Sequence, residues 1–205
     1  NLWSTKDGDD TNEALVSLYN ERKREEETTL LYNRKQAQSV LNHSIAISGN
    51  GPVLNADFSK KTLGGGAGIK YSYKASPKLD IGLKGDYLYF TGGENFNKSY
   101  VSSNFQIGYT ILPLDNLTPY IYGGVGGIFD LDSPEEELTE DTSGLNLQYG
   151  IALKYNINPH LAFFVGAENN HTNKDTIDNV VNGVRDDFYY NFNIGLEWRF
   201  GKNIK

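Results

Sequence analysis

The stretch FYYNFNIGLEWRF, residues 188–200, decides the fold. Phe188, Tyr190, Phe192, Ile194, Leu196, Trp198 and Phe200 occupy alternate positions, and Tyr189, Asn191, Asn193, Gly195, Glu197 and Arg199 fall between them. A two-residue period makes a strand with one aromatic-rich face and one largely polar face. Its length suits a tilted strand that crosses a bilayer.

The pattern recurs upstream. Leu145, Leu147, Tyr149, Ile151, Leu153 and Tyr155 share one face, opposite Asn146, Gln148, Gly150, Ala152 and Lys154. Leu79, Ile81, Leu83, Gly85, Tyr87 and Tyr89 alternate with Asp80, Gly82, Lys84, Asp86 and Leu88. We read eight strands, near 41–49, 63–74, 79–90, 100–112, 118–129, 145–155, 161–170 and 187–200. Short turns at Ser76-Pro77, Pro113 to Asn116 and Asn156 to His160 alternate with longer links near 50–62, 91–99, 130–144 and 171–186. An even strand count with short turns on one side and long loops on the other is the layout of a bacterial outer-membrane barrel. It puts both barrel ends on the periplasmic side.

Composition agrees. None of the 205 residues lies in an apolar run long enough for a transmembrane helix. The mean hydropathy of −0.52 is compatible with a barrel, whose polar lumen face offsets its lipid face. The 22 glycines and 14 tyrosines favour strands and tight corners. Without Cys, disulfides and thiolate metal sites are excluded. Without Met, the chain reads as mature, processed or excised, with no signal peptide at Asn1. A net charge of −7 argues against nucleic acid as a partner.

Volume decides which face points out. Roughly forty bulky apolar side chains would not fit inside an eight-stranded lumen, so that face meets lipid. The other face carries Gly64, Gly66, Gly68, Gly82, Gly108, Gly124, Gly126, Gly150, Gly166 and Gly195 beside charged residues. Lys70, Lys84, Asp86, Glu168, Glu197 and Arg199 are expected to form a structural polar network that plugs the lumen, with Lys74, Asp80 and Lys154 also pointing inward. Lys84, Asp86, Glu197 and Arg199 should neutralise one another between neighbouring strands. Tyr71, Tyr73, Tyr87, Tyr89, Tyr109, Tyr155 and Trp198 are expected in the aromatic girdle.

Ahead of the barrel lies a different segment. From about Thr11 to Gln38 the chain lacks Gly and Pro and contains ERKREEE at 21–27. Its sparse apolar residues, such as Leu15, Leu18 and Tyr19, predict a solvated helix that packs on a partner along a narrow stripe. The expected organisation is a mainly β chain: an eight-stranded antiparallel up-and-down transmembrane barrel over 40–205, preceded by a polar periplasmic tail and helix over 1–39.

Residues 40–201 resemble the small outer-membrane barrels of the OmpA/OmpW-like superfamily. The phrase TPYIYGGVGG at 118–127 and the aromatic last strand carry the likeness. The family normally stops at its terminal aromatic, whereas Gly201 to Lys205 follow it here. The head, Asn1-Leu2-Trp3 and a polar helix with Asn12, Glu21-Arg22 and Tyr32, is similar to the C-terminus of curli-type secretion channels of the CsgG family. That resemblance implies a barrel fused to an oligomeric exporter of amyloid-type subunits, with other channel subunits as partners through the helix. Without it, the reading is a stand-alone barrel serving as anchor, adhesin or receptor. Outer-membrane lipid and lipopolysaccharide are the expected surroundings in both cases.

No catalytic, cofactor or metal residues are expected. His43, His160 and His171 are scattered, and His171 with Asp175 is the only local pair; no nucleophile motif accompanies it. No HExxH or Ca loop occurs. The glycine runs at 64–68 and 123–127 lack the Lys-Ser/Thr and helix of a phosphate loop, and read as strand glycines allowing curvature. The acidic loop from Asp130 to Asp141 reads as a solvated external loop, with weak binding of divalent cations as the sharper alternative.

Overall fold

The computed structural model describes residues 6–55, 63–92, 96–113, 116–132, 143–173 and 188–201. One helix, α1 (Lys6–Val40), precedes eight strands: β1 (His43–Asn55), β2 (Gly65–Lys74), β3 (Leu79–Gly92), β4 (Phe96–Thr110), β5 (Leu117–Asp130), β6 (Ser143–Asn158), β7 (Leu161–Thr172) and β8 (Phe188–Phe200). Each strand pairs antiparallel with the next, and β1 closes on β8 from His43↔Phe200 to Asn55↔Phe188. The chain is therefore mainly β, a closed eight-stranded antiparallel barrel with one N-terminal helix.

Several boundaries differ from the sequence reading. The helix runs from Lys6 to Val40, beyond both expected ends, because no proline interrupts it. Strand β1 continues to Asn55 through Gly51 and Pro52. Proline is tolerated there because the continuous β1–β2 ladder ends at Asn50↔Gly66, while β8 still pairs with β1 beyond it. Among the described residues, only the Pro52 carbonyl, accepting from Gly64 N at 2.7 Å, and the Val53↔Leu63 bridge carry on toward β2. The β3–β4 hairpin also reaches further than read, to Gly92↔Phe96.

Alternation sorts the side chains. On β8, Ile194, Leu196 and Trp198 stand on the exposed outer wall, whereas Asn191, Glu197 and Arg199 are buried inside. Tyr149, Ile151, Leu153 and Phe192 share the outer wall. The lumen is polar along most of its length, but its long-loop end is closed by Leu54, Leu88, Phe90, Tyr100, Ile128 and Tyr189. Phe90 meets Tyr100 and Tyr189 edge-on, with ring centroids 5.6 and 5.3 Å apart.

The ten glycines assigned inward share a property beyond curvature. A Cβ on Gly64, Gly66, Gly68, Gly82, Gly108, Gly124, Gly126, Gly150, Gly166 or Gly195 would collide with a neighbour. At Gly108 the obstacle is the Tyr120 ring; at Gly150 the Tyr122 ring stands beside the Ala167 carbonyl oxygen, and at Gly195 the Phe164 ring stands behind the Ile47 carbonyl oxygen. These three glycines are seats for inward rings, whereas the other seven lie against backbone or non-aromatic side chains. Outward Gly49, Gly65 and Gly123 have room around them.

Candidate functional site: the barrel lumen

Apart from a Lys98–Asp130 pair at 2.9 Å near the long-loop rim, the described inward charges form two groups. In the middle of the lumen, Lys84 of β3 reaches Glu168 of β7, with Nζ 2.8 Å from Oε1 and 3.0 Å from Oε2. The same ammonium lies 3.1 Å from Asp86 Oδ2. One cation therefore serves two carboxylates, and neutral donors complete their shells. Asn191 Nδ2 donates to Glu168 Oε1 at 2.7 Å, and Tyr122 OH donates to Oε2 at 2.8 Å. Asn50 Nδ2 donates to Asp86 Oδ1 at 2.8 Å. A buried ion pair persists when its remaining lone pairs are satisfied in this way.

The second group lies nearer the short turns. Lys154 Nζ is 2.6 Å from Glu197 Oε2, and Arg199 Nε donates to Glu197 Oε1 at 2.7 Å. Lys70 Nζ donates to Tyr120 OH at 2.8 Å, and that hydroxyl donates to Asp80 Oδ1 at 2.9 Å. The Lys154 ammonium sits 3.9 Å from the centroid of the Tyr120 ring.

The structure thus brings Lys84, Asp86 and Glu168 together, and separately Glu197 with Arg199, while Lys70 joins Asp80. Of these pairs Lys84–Glu168 crosses the lumen and Lys154–Glu197 skips one strand, whereas Lys70–Asp80 joins the neighbouring strands β2 and β3, and Lys84–Asp86 and Glu197–Arg199 lie within one strand. In the sheet Lys84 faces Lys70 and Asn104, and Glu197 faces Ala46 and Ala162. An eight-stranded barrel is narrow enough for a lysine stem to reach the far wall. Between the groups is a cavity of about 50 Å³ lined by Lys70, Lys84, Tyr120, Tyr122, Glu168 and Glu197, among others. Toward the long loops a layer of amides follows. Gln106 donates to Gln148, and Asn146 donates to Asn104 and Asn170 at 3.0 and 3.1 Å.

Sequence reasoning did not single out Tyr120 and Tyr122 as lumen residues. Their signal was the matching glycine on the adjacent strand, opposite Tyr122 in both Gly108 and Gly150.

On the outer wall, Tyr71, Tyr73, Tyr109, Tyr155 and Trp198 lie toward the short-turn rim, whereas Tyr87 and Tyr89 lie toward the long-loop rim. His43 joins the first set, with Nδ1 2.7 Å from Tyr71 OH and its ring stacked 5.7 Å from Phe200. His171, next to last in β7, lies between Tyr149 and Phe188, 5.8 and 5.6 Å from their rings. Asp175 lies outside the described residues, as do Asn1 to Trp3, Lys202 to Lys205 and the acidic loop beyond Asp132. Among the described residues, no group of three or more His, Cys, Asp or Glu is placed to hold a metal ion.

A closed barrel with an apolar outer wall, aromatic rims and a polar, charge-paired interior defines a β-barrel membrane protein. The chain belongs to the outer membrane protein beta-barrel domain family, whose model matches residues 36–200. It is an outer-membrane barrel in a lipid environment. Among solved structures it is similar to Neisserial surface protein A, with 12% identity and a TM-score of 0.63 over 77% of this chain and 97% of that one. It is also similar to Ail, the attachment invasion locus protein of Yersinia pestis, at 17% identity and a TM-score of 0.50, covering 78% and 99%. OprG from Pseudomonas aeruginosa gives 13% and 0.51, covering 79% and 97%. At these identities the likeness is one of fold. No curated protein matches the chain at a significant level. These comparisons give no support to the curli-channel resemblance of the head.

Proposed function

We propose that this chain is a sealed outer-membrane anchor. It is neither a pore nor an enzyme: it holds four loops at the cell surface and a helix in the periplasm. The observation that carries this reading is the Lys84–Glu168 tie between strands on opposite sides of the barrel. With the amide layer and the apolar cap above it, the tie fills the lumen from one wall to the other. The long links β1–β2, β3–β4, β5–β6 and β7–β8 share one rim, which faces outward in barrels of this layout. Function then resides in what that rim adheres to or receives.

Planar-bilayer recording of the reconstituted full chain tests the seal. The expected result is no steady conductance at the level of a wide porin. Such a conductance would overturn the reading.

A further inference from the structure

The described side chains of α1, residues 13–32, are exposed throughout, including Leu18, Tyr19, Leu30 and Leu31. A lone helix of this composition is marginal in water, so its apolar residues need a partner. Its charges say which one. Arg22, Lys23 and Arg24 are followed directly by Glu25, Glu26 and Glu27. The block is charge-inverted about its own centre, and apolar pairs flank it on both sides.

We propose that α1 pairs antiparallel with α1 of a second copy of this chain. This rests on the reading that the barrel is an anchor whose helix lies on the periplasmic side. A two-fold axis between residues 24 and 25 sets the basic half of the block against the partner's acidic half. In that register Lys23 faces Glu26, Tyr19 faces Leu30 and Leu18 faces Leu31, each across the axis. Val16, Tyr19, Lys23, Glu26 and Leu30 also recur at steps of three, four, three and four, the spacing of a two-stranded coiled-coil seam, here with charged Lys23 and Glu26 at its centre in place of apolar residues. Parallel pairing would instead oppose basic to basic and acidic to acidic, which is destabilising.

The membrane permits this arrangement. A two-fold axis along the membrane normal inserts both barrels in the same sense, provided the helices lie along the membrane plane. At a rise of 1.5 Å per residue, the two Val40 positions then stand about 45 Å apart, which leaves room for two barrels. The contact is weak in itself. Confinement of both copies to one membrane raises their effective concentration and lets it suffice.

The absence of native cysteine makes the test direct. Full-length Tyr19→Cys and Leu30→Cys chains are co-expressed, and oxidative crosslinking is read in outer membranes. A disulfide between the two different variants is expected, with little joining either variant to itself. Self-crosslinking of each variant, or none in any combination, would overturn the proposal. Charge exchange keeps it falsifiable if the cysteines weaken the helix. Lys23→Glu alone should weaken self-association about tenfold, because two facing layers turn repulsive. Lys23→Glu with Glu26→Lys should restore it, and failure of that rescue also counts against the pairing. Conductance measured on the same samples tells loss of dimer from failure of the sealed-anchor reading.

Discussion

Lys84 and Glu168 sit on β3 and β7, four strands apart in a ring of eight, and their side chains meet at 2.8 Å in the centre of the barrel. The contact ties opposite walls and gives the lumen a fixed middle. It also places one cation between two carboxylates, since Asp86 shares it.

Removing that cation should therefore be costly. Lys84→Met leaves two buried carboxylates without a counter-charge, and we expect a loss of about 3–5 kcal/mol. Urea titration, followed by the mobility of folded and unfolded forms in unboiled gels, measures it. Adding Glu168→Gln removes one stranded charge and should recover part of the loss.

A charge on the outer wall should act by another route. Ile194 lies midway along β8 on the exposed face. Ile194→Arg should cost about 2–4 kcal/mol of folding into bilayers, while Ile194→Val should cost little. Equal behaviour of the two variants would remove Ile194 from the lipid face.

Two glycines three residues apart should differ sharply. A Cβ on Gly126 would lie 1.9 Å from the Ser103 carbonyl oxygen and 2.6 Å from Asn104 Cα, both backbone atoms. Gly126→Ala should therefore lose about 1–3 kcal/mol. At Gly123 the nearest neighbour stands 3.7 Å away, and Gly123→Ala should stay within about 0.5 kcal/mol. Thermal shifts of the folded band distinguish them.

Tyr120 separates ring from hydroxyl. Tyr120→Phe keeps the ring on its Gly108 seat and deletes the group that links Lys70 to Asp80. The expected cost is about 1–3 kcal/mol, read by the same titration. Tyr120→Ala should cost more, because it also empties the space above Gly108.

The strand faces were legible because a two-residue period assigns each side chain to one wall without knowledge of its neighbours. Ile194 and Glu197 could be sorted from β8 alone. The partners could not. Nothing local to Lys84 says that its carboxylate lies on β7, for that follows only from barrel closure. The inward rings escaped for a related reason. Volume excludes a crowd of aromatics from the lumen, yet it admits Tyr122 where the two flanking strands both present glycine. The end of β1 was misplaced because Pro52 looks like a strand terminator. It breaks one ladder and leaves the other whole.

The seats beneath Tyr122 and Phe164 bear on how the barrel finds its register. A strand that slips by two residues keeps every side chain on its proper wall, so the alternation of apolar and polar residues is blind to that error. The seats are not. Slipped by two, Tyr122 would meet Gln148 or Ala152 instead of Gly150, and Phe164 would meet Asn193 or Glu197 instead of Gly195. Each ring thus works as a key cut for one lock, rejecting the near-miss alignments that hydrophobicity alone would admit while the sheet closes in the membrane.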